Sequence, residues 1–249
     1  MTNPITNYFS TAANLLQQVA ETSGEAIYQA ADAIATALQN DKDYLVFGSG
    51  HSAFVAQDAF WRAGGLAPVI YVEDIAHGEA ERVEGIAAIT LSHYPLQAGS
   101  VMVVISNSGI NPGPVEIAML SKEAGLTVVA ITSLKHSQSA PSRHSSGKKL
   151  YQAADIVIDN LGDPGDAAID VPGYDLKCGA TSSVVGCGII QSITVQVATL
   201  LAERGIEPPI LTSANVPQGD VRNEVLRQRY QPRMVRYQIA NPTKRKLKS

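Results

Sequence analysis

Val101-Met102-Val103-Val104-Ile105-Ser106-Asn107-Ser108-Gly109 is the stretch that decides the fold. Five apolar residues, most of them β-branched, read as a strand buried on both faces. The run ends abruptly in hydroxyl and amide side chains and a glycine. Pro112 and Pro114 then suit the first turn of a following helix, expected over Pro114 to Ala124. The same pattern recurs where Tyr44-Leu45-Val46 leads into Phe47-Gly48-Ser49-Gly50-His51-Ser52.

Working outward, further short apolar runs occur at Pro68 to Val72, Thr127 to Ile131 and Ile156 to Ile158. Helical patterns separate them: Ala53 to Ala63, Glu79 to Ser92 and Pro114 to Ala124. Strands alternating with helices imply crossover units and a parallel sheet, an α/β fold. Residues 9 to 39 carry Leu15, Leu16, Val19, Ile27, Ile34 and Leu38 at helical spacing, with Gly24 as a break or bend. A long helix is expected over Thr181 to Glu203 and a short one near Val221 to Tyr230. Residues 133 to 149 form the longest polar stretch and read as a loop. The expected organisation is an N-terminal helical segment, 1–40, packing on the core or on a partner subunit. A core domain, 41–240, and a basic tail, 241–249, follow.

Composition narrows the classes. The 249 residues are 45% hydrophobic and 17% charged, enough for one sizeable core. The net charge of −4 gives no support to a nucleic-acid partner. Lys244-Arg245-Lys246-Leu247-Lys248 reads as a solvated end rather than a binding patch. Neither a secretory signal nor a run of about 18 apolar residues is visible, so no membrane partner is expected. Two cysteines, Cys178 and Cys187, do not make a disulfide framework in a chain of this size. A reduced, cytoplasmic setting follows as the expectation.

Serine-rich loops at the carboxyl ends of parallel strands point to a phosphate. Ligands of open α/β sheets sit there, and hydroxyls add donors without bulk while glycine lets the backbone approach. Ser106, Asn107, Ser108 and Asn111 form a donor ring for a dianion. Ser49 and Ser52 either complete it or bind sugar hydroxyls. Thr132 and Ser133 lie at a third strand end. Two other readings stay open: that these residues only cap helices, or that Gly48-Ser49-Gly50 starts a dinucleotide fingerprint. In the second case Ala53 stands where the third glycine belongs, and the Ser106 loop has no use.

On these residues the chain resembles the SIS (sugar isomerase) domain family of phosphosugar binders and isomerases. Ser106-Asn107-Ser108-Gly109-Ile110-Asn111 resembles its Ser-x-Ser-Gly-x-Ser/Thr phosphate loop, with Asn111 in place of the hydroxyl residue. Gly48-Ser49-Gly50-His51-Ser52 resembles the first loop and Ile131-Thr132-Ser133 the third. Gly179-Ala180-Thr181-Ser182-Ser183 resembles the entry to the last long helix, which makes Thr181 and Ser182 candidates at the sugar. Trp61 to Pro68, Ser142 to Lys148 and Ser213 to Pro217 resemble a phosphoheptose-isomerase-like branch. The resemblance implies a three-layer αβα sandwich with a five-stranded parallel sheet, order 2-1-3-4-5, and a homodimer or homotetramer. The metal-binding His and Glu of zinc-using relatives fall here on Asp58 and Arg62, so neither metal nor other cofactor is expected.

Aldose–ketose isomerisation needs a base near neutral pKa and an acid beside the sugar oxygens. Asp74-Ile75-Ala76-His77-Gly78-Glu79-Ala80-Glu81 supplies carboxylates after the second strand, and Glu79 or Glu81 is the candidate base. His51, inside the first loop, is placed to open the sugar ring or hold a hydroxyl. His136, Arg143 and His144 on the polar stretch form a candidate basic lid. The expected activity is therefore isomerisation of a sugar phosphate. An etherase or lyase acting on an amino-sugar phosphate, and a non-catalytic phosphosugar sensor, are the alternatives.

Overall fold

A computed structural model describes residues 3–94, 96–217 and 219–239, the last nine by backbone only. The expected basic tail lies outside the described residues. Five strands, β1 (Tyr44–Gly48), β2 (Val69–Val72), β3 (Val101–Ile105), β4 (Thr127–Thr132) and β5 (Ile156–Asp159), form one parallel sheet in the order β2-β1-β3-β4-β5. The register pairs Gly48 with Ile105, so the loops after β1 and β3 leave the sheet side by side.

Alternation along the strands sorts two cores. Tyr44, Val46, Val101, Val103, Ile105, Val129, Ile131 and Ile158 face α2 (Gly24–Gln39), α3 (Ser52–Ala59) and α8 (Ser182–Glu203). Leu45, Phe47, Met102, Val104, Val128 and Ala130 face α4 (Ile86–Leu91), α5 (Pro112–Glu123) and α7 (Leu150–Ala153). Burial on both faces explains why these strands read as continuous apolar runs. The three-layer α/β expectation and its strand order are met.

The expected break near Gly24 falls at Ser23, between α1 (Pro4–Thr22) and α2. Ser23 donates its hydroxyl to Asp159 O, fixing the corner to the end of β5. The helix α8 is long and apolar enough to cross a membrane by length and composition. Its apolar side chains Val185, Ile189, Ile190, Ile193 and Val197 lie in the first core. The helix α9 (Gly219–Ile239) is longer than expected and packs Leu226 and Tyr230 against Ala67 and Leu211.

Three expectations need correction. The helix from Ala53 stops at Ala59, because Phe60 is extended and Trp61 takes a φ of 49°. Only Ile86–Leu91 of the expected Glu79 to Ser92 helix forms. Gly85 takes a φ of 89° inside the expected span, which no right-handed helix tolerates, and before it Glu79 N, Glu81 N and Val83 N bond only three residues back, as turns. The polar stretch 133–149 contains a helix, α6 (Leu134–Ser139), started by Ser133, whose hydroxyl accepts from His136 N. A hairpin not anticipated, β6 (Ala167–Asp170) with β7 (Lys177–Ala180), precedes α8.

Ile190 is fully buried on α8, whereas Val195 is 66% exposed. Ile190→Ala should cost about 2–5 kcal/mol in urea denaturation, and Val195→Ala within about 0.5 kcal/mol. Equal, small effects would remove α8 from the core.

Candidate functional site

The loops after β1 and β3 meet a third segment, the irregular chain from Asp74 to Gly85. Asp74 organises the first contact. One of its carboxylate oxygens accepts the Ser49 hydroxyl (2.8 Å) and the amides of Gly50 (3.4 Å) and Gly78 (2.7 Å). Its other oxygen accepts Ala76 N at 3.2 Å. The two loops touch so closely that a Cβ on Gly78 would stand 2.9 Å from Gly50 Cα. Folding the 74–85 segment this way turns Glu81 inward.

Glu81 is the junction. Its Oε1 accepts Asn111 Nδ2 at 2.8 Å, and its carbonyl accepts Gly113 N at 2.9 Å. Asn111 Oδ1 in turn accepts Arg143 Nη1 at 2.8 Å. Asn111 occupies the N-cap position of α5 but makes no side-chain cap bond, because its amide is committed to these two partners. Glu81 is half-buried, and that burial lifts its carboxyl pKa above the ordinary value of 4.5, helped by the nearby Asp74 charge. The charges of Arg82 and Arg143 act in the opposite direction. Four candidates that lie far apart in sequence, Ser49, Glu81, Asn111 and Arg143, therefore share one site. Glu79, the other candidate base, is exposed, and among the described residues it makes no side-chain hydrogen bond.

The Ser106 loop is built tightly. Gly109 takes a φ of 60°, and a Cβ there would stand 2.7 Å from Thr132 Oγ1. Ser106 Oγ accepts Gly109 N at 3.2 Å, which leaves its proton for an outside acceptor. Ser108 is partly exposed, and its hydroxyl has no partner among the described residues. Asn107 is held through Oδ1, which accepts Asn160 Nδ2 at 2.9 Å. The start of α5 offers few amides: Pro112 and Pro114 carry none, and Gly113 N bonds Glu81 O. Donors for an anion here are therefore hydroxyls and loop groups rather than a helix end.

Other candidates are engaged within the protein. Thr132 and Ser133 are fully buried. Thr132 donates to Asn107 O (3.3 Å) and Ser133 to Gly162 O (2.5 Å). The Thr181 and Ser182 amides and the Ser182 hydroxyl all bond the Asp166 carboxylate, at 3.1, 2.8 and 2.5 Å. Ser52 begins α3 beside the first loop, and His51 is exposed with its ring edge-on to Phe54. Of the three lid candidates, Arg143 reaches Asn111, His144 turns toward Glu116, and His136 lies on α6. The 140s segment is stitched down: Arg143 N bonds Ile110 O, and Ser145 bonds the Glu84 carboxylate through both its amide and its hydroxyl. Asp166 carries no signal as a site residue in the sequence, and Asp74 reads there as the head of an acidic run, or as the ribose acid of the dinucleotide alternative. An Asp at a strand end with glycine four residues on was the available signal for Asp74.

Residues 7–133 match the family model described as "SIS domain". The chain belongs to the SIS domain family. This SIS-domain protein is 38% identical over 236 residues to a UPF0309 protein of Shouchella clausii, covering 91% of the chain and 96% of that relative. It is 39% identical over 239 residues to a UPF0309 protein of Halalkalibacterium halodurans, covering 92% and 99%. A solved phosphoheptose isomerase from Francisella tularensis shares the fold, with a TM-score of 0.56 at 17% identity, covering 78% of the chain and 96% of that structure.

The raised pKa of Glu81 makes a stability prediction. Its folded form binds a proton more readily than its unfolded form, so stability should fall as pH rises from 4.5 through the raised value. Glu81→Gln should remove that fall while keeping the acceptor for Asn111. Urea midpoints from pH 4 to 8 that run parallel in the two proteins would contradict this.

Proposed function

We propose that this protein binds a phosphorylated sugar at the carboxyl edge of β1 and β3 and isomerises it, with Glu81 as the base. The observation that carries the reading is the Ser49–Glu81–Asn111–Arg143 constellation beside the Ser106 loop. A half-buried carboxylate with raised pKa is held there by the Asn111 amide, which Arg143 in turn engages. Such a group can take a proton at neutral pH and return it. The phosphate sits on the free hydroxyls of Ser106 and Ser108, with Ser52 and Asn107 at its flank. Glu81 removes the proton from C2 of the open-chain aldose and delivers it to C1, while the proton of the C2 hydroxyl passes to the C1 oxygen, so that C2 becomes the carbonyl. The guanidinium of Arg143 faces the enediolate charge that develops between these steps. His51, at the open mouth, handles the hydroxyl proton on ring opening. Thr132, Ser133 and Asp74 shape the loops from behind.

A cytoplasmic setting and self-association complete the proposal. Both cysteines are free. Phe9 on α1, Phe54 on α3 and Val195 on α8 are 69%, 63% and 66% exposed, apolar area of the kind a second copy covers.

Thermal-shift measurements against sugar phosphates and their unphosphorylated parents should show stabilisation by the phosphates alone. Ser108→Ala should weaken the best ligand by about 1–3 kcal/mol; an equal response to both ligand sets would sink the phosphate assignment. In deuterated water, the wild-type protein should place deuterium at C1 or C2 of a bound sugar phosphate, and Glu81→Gln should slow this by at least about 100-fold. Exchange that survives Glu81→Gln would dismiss Glu81 as the base.

A further inference from the structure

Just outside the constellation, three side chains from three segments converge. Glu84 comes from the irregular segment, Glu116 from α5 and His144 from the 140s segment. Their ligating atoms all lie within 4.8 Å of one another. His144 is the decisive member. Its side chain is only 9% exposed and Glu116 only 14%. Its Nε2 points at Glu116 Oε1 from 3.6 Å, too far for a hydrogen bond. Its Nδ1 stands 2.7 Å from Ser146 Oγ. Nδ1 also accepts Ser146 N at 3.1 Å, so the ring proton sits on Nε2, facing the carboxylates. A cation bound at Nε2 displaces that proton to Nδ1, where Ser146 Oγ accepts it.

Each carboxylate is already oriented from behind. Glu84 accepts Ser145 N (2.6 Å) and Ser145 Oγ (2.7 Å), and Glu116 accepts Gly85 N at 2.8 and 2.9 Å. Carboxylate oxygens keep lone pairs after one such bond. Outer donors that fix the aim of first ligands are the normal support of a metal site. No positively charged lysine or arginine forms an ion pair with Glu84 or Glu116 among the described residues, so the two negative charges are met only by His144 and hydrogen-bond donors.

We propose that Glu84, Glu116 and His144 form a binding site for one divalent transition-metal cation. One imidazole nitrogen with two carboxylates suits zinc or manganese better than magnesium or a soft-metal ion. A tetrahedral ion with bonds of about 2.0–2.2 Å holds its ligand atoms roughly 3.3–3.6 Å apart. The side chains close by about 1 Å to reach it, and water takes the fourth place. The site lies next to the constellation in sequence: Glu84 follows Glu81 by three residues, Glu116 follows Asn111 by five, and His144 adjoins Arg143. A cation would therefore tie together the same three segments that hold Glu81, Asn111 and Arg143. Its role is to position them, not to touch the sugar. The inference rests on geometry alone and stands whether or not the isomerase reading holds.

The test uses the full chain stripped with chelator, titrated calorimetrically with zinc chloride or manganese chloride and with magnesium chloride as the weak competitor. One equivalent of zinc or manganese should bind, with a rise in Tm, and magnesium should bind at least about 10-fold more weakly. His144→Gln and the exposed-site variant Glu84→Gln should each lose at least about 10-fold in metal affinity, while their circular dichroism stays that of the wild type. Manganese bound to the wild type should lose its free-ion electron paramagnetic resonance signal, and the variants should restore it. Absence of stoichiometric binding, or binding that survives both substitutions, overturns the site. Stabilisation on acidification with no metal response overturns it too, and would make the cluster a proton-operated clamp between His144 and the two glutamates.

Discussion

The pairing of β1 with β3 is the constraint on which the rest depends. The chain leaves β1 for β2 on one side and returns to β3 on the other, so the strand order reverses between them. At such a point two loops diverge and leave a crevice outside the carboxyl ends of the strands. Register then decides what lines the crevice. Because Gly48 pairs with Ile105, Ser49 and Ser106 are the first residues past the sheet on both sides. Apolar burial on both faces of the two strands holds that register, since a one-residue slip would bring the residues of each core onto the other face.

Onto this crevice the chain folds an irregular segment that no ladder bond defines. Asp74 holds its start, Asn111 and Gly113 hold Glu81 within it, and Glu116 holds Gly85 at its end. Asn111 gives up the usual capping bond of its helix to do so. That sacrifice, worth about 1 kcal/mol in an ordinary helix, and the burial of Glu81 both oppose stability. Such local costs are the mark of sites kept for chemistry. The two prolines at the start of α5 fit the same picture: with few amides to satisfy, the helix end needs no cap, and Asn111 is released for its partners.

What could be read from the sequence follows what is periodic or buried. The five strands were legible because burial on both faces writes them as apolar runs between turn residues. The long α8 was legible for the same reason. Glu81 could be named only as one of a pair, since its separation from Glu79 depends on long-range bonds to Asn111 and Gly113 that periodicity does not register. The helix within 133–149 was hidden because its residues are polar and its start rests on one serine cap. The β6–β7 hairpin is short and almost wholly exposed or half-exposed, with little alternation to betray it. Thr132, Ser133, Thr181 and Ser182 carry the right chemistry for a ligand, and only coordinates reveal that Asn107, Gly162 and Asp166 already engage them. Long-range partners of this kind leave no local pattern.

A crystal structure with an open-chain sugar phosphate bound tests the central claim most directly. Phosphate oxygens should lie within hydrogen-bond distance of Ser106 Oγ and Ser108 Oγ, and the Glu81 carboxylate should lie over C1–C2 of the sugar. A phosphate seated instead at the Thr181 amide with Asp166 displaced, or a Glu81 carboxylate remote from the carbon chain, would contradict it.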